Sequence, residues 1–393
     1  MIRSLKRIDT ERLYYFLFIS FMFLSAIFCG YTRVNNVFHL SALTFILTLC
    51  TKKQFRDSLF QDKTFVRGIT LSAAFLLFFS LSNLWGENPK NTESALTHSL
   101  YLVVFLAMLV TLYNSDKRAL AIDATIFGFV ILAIYLMFVD YQHLLINRLN
   151  ISHSPGPSNV IDVGGYFAIG IILSFISFKE SKKHIYIYTA FVLFIALLLT
   201  QSRGPLIGLV ISLAITSHYT IFTKKNVPYY LLAIVVIAVV LFYSGITEMV
   251  LTRFEELTTQ VYLRTSIWEH SYEIIKQAPL LGYGFEKELN FINYSGEHIT
   301  TTHSLYLGVL LKGGIVGLAI FLSLLCYGCL RAIHFIRNEK RLEAALFFFT
   351  LIFYLSQGIF NISNPSEAWY LFWFPLGIMM STIPRKIHSD SVN

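Results

Sequence analysis

Charged residues are scarce in this sequence. They make up 14% of the 393 residues, whereas hydrophobic residues make up 55%, and a typical soluble domain has about 25% charged residues. The mean hydropathy of +0.61 and repeated apolar runs of about 18 residues or more indicate transmembrane helices. Because the runs are apolar throughout, rather than alternating, a transmembrane β-barrel is not favoured.

Several motifs of soluble and metal-dependent enzymes are absent from the sequence. There is no P-loop, no Asp-x-Asp pair and no Gly-x-Ser-x-Gly elbow, so ATP-driven transport and hydrolase chemistry are disfavoured. Cys326-x-x-Cys329 has no second ligand pair and is interpreted as part of a membrane helix. A zinc site of His298, Glu297 and His303 lacks a histidine pair at i, i+4. We therefore predict neither a metal nor a cofactor.

The apolar runs predict an all-α polytopic membrane protein with about twelve transmembrane helices, forming one integral membrane domain over residues 1–393. The predicted spans are 13–29, 36–50, 66–83, 96–113, 119–139, 160–178, 184–200, 205–222, 228–243, 313–333, 343–360 and 367–383. With the N-terminus inside, 22 of the 31 lysines and arginines lie in cytoplasmic segments and 9 in outer segments. This positive-inside distribution places both termini in the cytoplasm. It also accounts for most of the net charge of +8 without a nucleic-acid partner.

The longest polar interval, residues 244–312, is predicted to be a large outer, periplasmic loop between spans nine and ten that carries part of the active site. Within it, Ser266-Ile267-Trp268-Glu269 has the pattern of a capping box, and Pro279 follows. These signals predict an amphipathic helix over 267–278 that begins at Ser266.

The end of this loop is set by Lys312. A span that contained Lys312 near its middle would bury a charge in the bilayer, which is costly. We therefore predict that 303–311 forms a helical turn or two near the membrane surface. Gly313 and Gly317 would then allow close helix packing, or act as a hinge, at the top of span ten.

Two outer arginines lie beside predicted helix starts. Arg203 stands in Gln201-Ser202-Arg203-Gly204-Pro205, where Pro205 suits the first position of span eight, and Arg264 precedes the predicted cap at Ser266. Helix N-termini favour anions, and arginine can bind phosphate oxygens with two hydrogen bonds. Together the arginines predict a phosphate or pyrophosphate site, with Ser202 and Gln201 as possible supporting residues. For either arginine alone, snorkelling to lipid headgroups is the simpler explanation.

His303 follows three threonines near the predicted membrane edge. The ordinary pKa of histidine suits a general base near neutrality, although a hydrogen-bonded interfacial histidine is an alternative. An outer enzyme without nucleotide or metal needs an activated substrate, and a lipid-pyrophosphate-linked sugar fits. Two arginines and one base would meet the needs of that reaction. A transporter of such glycans would place charges inside its spans, whereas here they lie at the span ends.

Four motifs, in this order, resemble those of the bacterial O-antigen ligase and polymerase superfamily. They are Ser202-Arg203-Gly204-Pro205, Arg264 with Ile267-Trp268, Pro279-Leu280-Leu281-Gly282-Tyr283-Gly284, and His303-Ser304-Leu305-Tyr306-Leu307 leading into Gly313-Gly314-Ile315-Val316-Gly317. The resemblance covers specific motifs over about 200–320 and the topology of the whole chain. It implies a metal-independent, inverting glycosyltransferase of the GT-C type in the bacterial inner membrane.

The resemblance also implies substrates and roles. The donor would be an undecaprenyl-pyrophosphate-linked glycan, and the acceptor would be lipid A–core oligosaccharide, in lipopolysaccharide biosynthesis on the periplasmic face. Arg203 and Arg264 would bind the pyrophosphate, His303 would activate the acceptor hydroxyl, and Tyr283 is a possible supporting residue.

Two departures keep a second reading open. Ligases usually have His-Asn where this chain has His303-Ser304, and many family members have an acidic residue where it has Lys312. The alternative is O-antigen polymerase, with the same donor and a lipid-linked glycan acceptor. Polar residues of the last outer loop could bind sugar, or could be polar only because the loop is in water. They are Gln357, Asn361, Asn364 and Glu367.

Overall fold

The computed structural model describes residues 9–139, 154–221, 246–293, 296–358 and 360–382, with the side chains of all but 217–221 and 246–260. Its helices are α1 Thr10–Ile27, α2 Thr32–Thr51, α3 Lys53–Phe60, α4 Lys63–Leu81, α5 Thr92–Tyr113, α6 Arg118–Val139, α7 Val160–Ser181, α8 Ile185–Leu199, α9 Arg203–Ile221, α10 Ile246–Ile275, α11 Leu305–Arg337, α12 Arg341–Phe353 and α13 Phe374–Met380. Short 3₁₀ turns occupy Ser82–Trp85 and Pro89–Asn91, and a π-helical turn occupies Trp369–Trp373.

Membrane-spanning helices dominate the described residues. Seven helices are long and apolar enough to cross a bilayer: Thr10–Ile27, Thr32–Thr51, Lys63–Trp85, Pro89–Tyr113, Arg118–Val139, Val160–Ser181 and Leu305–Arg337. These helices confirm an all-α polytopic membrane protein. The count of twelve spans stays a prediction, and the predicted ninth span, 228–243, lies outside the described residues.

Helix α7 connects the two ends of the protein. It packs against α6, α8, α9 and α12. Of the 18 consecutive residues that form its most apolar part, 89% are buried. Its glycines allow this enclosure, since a Cβ on Gly165 would lie 2.6 Å from Leu371 Cδ2 and one on Gly170 would lie 2.7 Å from Leu193 Cδ1. Twenty-two residues of helix extend about 33 Å, so α7 carries groups from one end of the bundle to the other.

The helix inside the predicted outer loop begins earlier than the capping-box pattern indicates. Helix α10 runs from Ile246 to Ile275, and Ser266 lies within it, where its Oγ donates to the Leu263 carbonyl at 2.8 Å. The predicted start at Ser266 is therefore wrong. No glycine or proline interrupts 246–265, so the helix continues through the pattern, and the serine hydroxyl bonds back to the preceding turn instead of capping.

Helix α11 is broken at Gly314, whose φ of 60° and ψ of −161° are not helical. The break separates a short first part, which begins at Leu305, from the long apolar part, as the sequence predicted for 303–311 and the span after Gly313. Only glycine adopts this region of φ and ψ readily. A side chain at Gly314 would also overlap the carbonyl oxygen of Leu280.

The turn at 279–284 fills the break in α11. Ile315 N donates to Pro279 O at 2.8 Å, Tyr283 N donates to Leu311 O at 3.1 Å, and Gly284 N donates to Lys312 O at 2.9 Å. Backbone groups that a broken helix leaves free need partners when they are buried. The turn supplies these partners, so the motif at 279–284 is hydrogen-bonded to the glycine-rich motif of α11. Beyond it, β1 Phe291–Ile292 pairs antiparallel with β2 His298–Ile299.

Candidate active site

Arg203 is the first residue of α9. It lies at a helix start as predicted, but the helix begins two residues before Pro205, the predicted first position. The backbone at Gln201 has a φ of 51°, which turns the chain sharply from α8 into α9. Ser202 Oγ donates to the Val160 carbonyl at 3.4 Å, and a Cβ on Gly164 would lie 3.1 Å from Pro205 Cγ. The connection is therefore held against the start of α7, and Arg203 stands at a helix N-terminus, whose first N–H groups have no partner within the helix.

Arg264 lies inside α10 and not at a helix start, which corrects the prediction. Its side chain is half-buried. Burial lowers the pKa of Arg264, and the charge of Arg203 lowers it further, so the two guanidinium groups are close enough to repel each other. Ile267 and Ile275, on the buried side of the same helix, pack with Leu311 and fix α10 against the start of α11.

His303 occupies a strained turn immediately before α11. Its φ of 49° lies in the left-handed region, which non-glycine residues rarely adopt. Thr302 Oγ1 donates to Ser304 O at 2.6 Å, and Leu305 N donates to Tyr354 O at 3.1 Å. Burial lowers the pKa of His303, and the charge of Arg264 lowers it further, while Glu297 opposes both. The imidazole is therefore neutral at neutral pH and able to accept a proton.

The structure thus brings together the three residues that the sequence singled out. Arg203 acts on the pKa of Arg264, and Arg264 acts on the pKa of His303, although 61 residues separate the arginines in the chain. Among the described residues, neither arginine forms an ion pair with a carboxylate. Such a cluster of cations attracts an anion, and the neighbouring neutral histidine can act as a base.

Tyr283, the other proposed supporting residue, belongs to the packing of the loop. Its hydroxyl donates to Ile274 O at 3.1 Å, and its ring packs with the cluster that contains Ile267 and Leu311. Tyr283 therefore holds the turn on α10, and its part in substrate binding stays a prediction, as do the supporting roles of Gln201 and Ser202.

Lys312 holds the turn at 279–284 from the other side. Its Nζ donates to the Phe285 carbonyl and lies over two rings, 5.5 Å from the centroid of Phe285 and 5.4 Å from that of Phe360. The ammonium group of Lys312 is thus enclosed by aromatic side chains and a carbonyl group.

The residues considered for zinc are engaged elsewhere. His298 Nε2 lies 2.6 Å from Asn290 Oδ1, and Glu297 Oε2 accepts from Asn293 Nδ2 at 2.9 Å. In the part of the chain that the structure describes, no three His, Cys, Asp or Glu residues are grouped as metal ligands.

Sequence reasoning missed the residues that support His303 from behind. A Cβ on Gly358 would lie 2.6 Å from the backbone nitrogen of His303, and Gln357 Nε2 donates to Asp162 Oδ1 at 2.6 Å. The signal was present, because a carboxylate in the first turn of a long apolar span is unusual and needs a partner. The partner is 195 residues away, which no local pattern reveals.

Two comparisons show which known proteins this chain is similar to. Residues 188–322 match the family model described as O-antigen ligase, and this region contains Arg203, Arg264, His303 and the break at Gly314. The chain is also 25% identical, over 325 residues, to a protein of Pseudomonas aeruginosa named O-antigen ligase, with 79% of this chain and 77% of that protein covered. The resemblance predicted from the motifs is therefore confirmed, since the chain is similar to O-antigen ligases in both comparisons.

Proposed function

We propose that this protein is a glycosyltransferase that ligates O-antigen polysaccharide from undecaprenyl pyrophosphate onto lipid A–core oligosaccharide. The observation that carries the proposal is the convergence of Arg203, Arg264 and His303 within the region that matches the O-antigen ligase model. Two cations and a neutral base suit transfer from a pyrophosphate-activated sugar, because the leaving group needs charge stabilisation and the acceptor hydroxyl needs a proton acceptor.

The donor would be held by its pyrophosphate. Arg203 offers a guanidinium beside a helix N-terminus, where N–H groups also point at an anion, and Arg264 adds a second guanidinium. The two cations repel each other in the free protein, and the charge of the pyrophosphate would relieve that repulsion. As the bond between the anomeric carbon and the phosphate oxygen breaks, the arginines stabilise the negative charge of the departing undecaprenyl pyrophosphate.

The acceptor would be activated by His303. The neutral imidazole takes the proton of a sugar hydroxyl on the lipid A–core, and the hydroxyl oxygen forms a bond to the anomeric carbon from the face opposite the pyrophosphate. This single displacement inverts the anomeric configuration, and it requires neither a metal nor a nucleotide. The lowered pKa of His303 supports this role, because it keeps the base unprotonated at neutral pH.

In this proposal the protein is a multi-pass protein of the bacterial inner membrane with both termini in the cytoplasm. The arginines and His303 face the periplasm, where lipid-linked glycan and lipid A–core meet. Support comes from the positive-inside distribution of lysine and arginine and from the apolar helices that flank the site. The large loop of residues 244–312 forms one wall of the site, because it contributes both Arg264 and His303.

Deletion of the gene separates a ligase from a polymerase. A ligase deletion should leave lipid A–core without O-chains and accumulate polymer on undecaprenyl pyrophosphate, as resolved by gel electrophoresis of lipopolysaccharide and by analysis of carrier lipids. Core that bears a single repeat would instead identify the polymerase, and unchanged lipopolysaccharide would reject both functions. A complemented strain that restores the wild-type pattern is the control.

A further inference from the structure

A short segment after α12 lies between Arg203 and His303. It comprises residues 354–358 and is called here the linking segment. On one side, a Cβ on Gly204 would lie 3.2 Å from Ser356 Oγ; on the other, a Cβ on Gly358 would lie 2.6 Å from His303 N and 2.9 Å from His303 Cα. Three consecutive residues therefore contact the neighbour of Arg203 at one end and the backbone of His303 at the other.

The His303 side of this contact is fastened by the first residue of the linking segment and by the end of α12. Leu305 N donates to Tyr354 O at 3.1 Å, and Tyr306 Oη donates to Leu351 O at 3.0 Å. These bonds join the first turn of α11 to the C-terminal end of α12. A shift of the linking segment would therefore move the turn that bears His303.

The linking segment is itself anchored by a buried hydrogen bond. Gln357 Nε2 donates to Asp162 Oδ1 at 2.6 Å, while Gln357 Oε1 accepts from Gly358 N at 3.0 Å. Asp162 and Gln357 are 1% and 3% exposed, so water does not compete for these bonds. Removal of either partner leaves a buried polar group without its bond, which is unfavourable. The amide of Gln357 thus ties Asp162 to the residue that touches His303.

Asp162 is placed to serve both sides of the site, because it lies in the first turn of α7. The same turn carries Val160, whose carbonyl accepts from Ser202 Oγ at 3.4 Å beside Arg203. One helix end is therefore fixed both to the Arg203 connection and, through Gln357, to His303. Both anchored points are strained, since Gln201 and His303 have φ of 51° and 49°, and such conformations persist only where the surroundings hold them.

We propose that Asp162 and Gln357 form a positioning pair that sets the distance between the pyrophosphate-binding Arg203 and the base His303. This inference rests on the proposed function, and neither residue touches a reacting atom. The pair holds the linking segment as a spacer of fixed length. A displacement of about 1 Å of a catalytic group can lower a rate by about a hundredfold, so loss of the pair lowers kcat and leaves substrate binding intact.

The test measures initial rates of transfer in proteoliposomes that contain undecaprenyl-pyrophosphate-linked O-polysaccharide and lipid A–core from the same organism. We expect Asp162→Ala and Gln357→Ala each to lower kcat about 10- to 100-fold, with KM for both substrates unchanged. Asp162→Asn keeps the acceptor oxygen of the hydrogen bond and should retain most of the activity. The double alanine variant should be no slower than the slower single variant, because both remove one bond.

Ser174→Ala is the matched control. It removes a buried hydrogen bond from the same helix, in which Thr189 Oγ1 donates to Ser174 Oγ at 3.0 Å, about 18 Å along α7 from Asp162. Its kcat should equal that of the wild type. If Asp162→Ala does not accumulate in the membrane, Gly358→Ala supplies the test, because its added methyl group presses directly on His303 N. Gly358→Ala should then lower kcat without a change in KM.

Three results would overturn the positioning pair. They are wild-type kcat in the alanine variants and Gly358→Ala, a raised KM at unchanged kcat, and an Asp162→Asn variant as slow as Asp162→Ala. Failure of the proposed function would look different, since His303→Ala, assayed in parallel, would then transfer glycan as fast as the wild type. If the wild type is active, His303→Ala is inactive, and Asp162→Ala and Gln357→Ala transfer glycan at the wild-type rate, only the positioning pair is rejected.

Discussion

Helix α7 extends between two groups of arginines that differ in whether carboxylates balance their charge. At one end, here the Arg118 end, Arg118 pairs with Glu180 at 2.8 Å and with Glu343 at 3.0 Å. At the other end, here the Arg203 end, Arg203 and Arg264 repel each other, and no described carboxylate pairs with either. Arg118 is the first residue of α6, as Arg203 is the first residue of α9.

Arg118 and Arg203 each begin a helix, so this position does not distinguish them. Their partners do, because Arg118 is paired with two carboxylates and Arg203 with no described carboxylate. The mostly buried Arg118 compensates the charge of the buried Glu343, so that loss of either partner would leave an uncompensated buried charge. Two neighbouring cations without carboxylates destabilise the fold, and a bound anion would offset that cost. We infer that the Arg118 end is structural, and we propose that the Arg203 end binds an anion. Four experiments test whether the two ends differ in this way.

The largest effect is expected on transfer activity. His303→Ala should lower the transfer rate about 10²- to 10⁴-fold, because a positioned general base contributes that much, and Arg203→Ala and Arg264→Ala should also abolish most transfer. The measurement is the rate in proteoliposomes at matched protein amounts. Lys117→Ala, which removes an exposed ion pair with Asp116 near the Arg118 end, should retain full activity. Normal O-antigen attachment in His303→Ala would reject its role.

The free energy of unfolding should depend more on the Arg118 end than on the Arg203 end. Arg118→Ala leaves Glu343, 3% exposed, without one of its cations and should destabilise the protein by about 3–5 kcal/mol. Arg264→Ala should leave stability unchanged or raise it slightly, because it removes a repulsive charge. The thermal unfolding midpoint of detergent-solubilised protein measures both. Equal losses in the two variants would remove the distinction between the ends.

Inorganic pyrophosphate should stabilise the wild type through the Arg203 end. At a concentration of 100 Kd, binding to the folded state contributes about 2.7 kcal/mol. Arg203→Ala and Arg264→Ala should lose this gain, whereas Lys117→Ala should keep it. A gain that persists in both arginine variants would place anion binding elsewhere.

The smallest effect is a shift in the pH dependence of transfer. The base must be neutral, so the rate falls as pH drops through the lowered pKa of His303. Glu297 raises this pKa, and Glu297→Gln should therefore move the acid limb of the pH–rate profile to lower pH. Glu288→Gln provides a control, since Glu288 has no part in the pKa of His303. A limb that moves to higher pH in Glu297→Gln would contradict the assigned charges.

The helices were predictable because hydrophobic length is a local property. The predicted spans 119–139 and 160–178 correspond closely to α6 Arg118–Val139 and α7 Val160–Ser181. The start of α10 was not predictable in this way. Ser266 and Glu269 have the residue types of a capping box whether or not the chain before them is already helical. Caps are decided by what precedes them.

The sequence singled out the three proposed site residues but not their proximity, and their roles stay predictions. Arg203, Arg264 and His303 stand out as polar groups of suitable chemistry in an apolar chain. Their proximity, and the support of His303 by Gln357 and Asp162, depend on tertiary contacts. Such contacts leave no periodic or spaced pattern in the sequence.

The break in α11 at Gly314 has a consequence for engineering chimeric proteins. Because the turn at 279–284 supplies hydrogen-bond partners to both sides of the break, the predicted outer loop and the tenth predicted span should be exchanged together. A chimera that takes only the loop from a relative would combine a foreign turn with the native break in α11, and their hydrogen bonds need not match. A chimera that takes the residues from the loop through the end of α11 would keep these hydrogen bonds within one sequence.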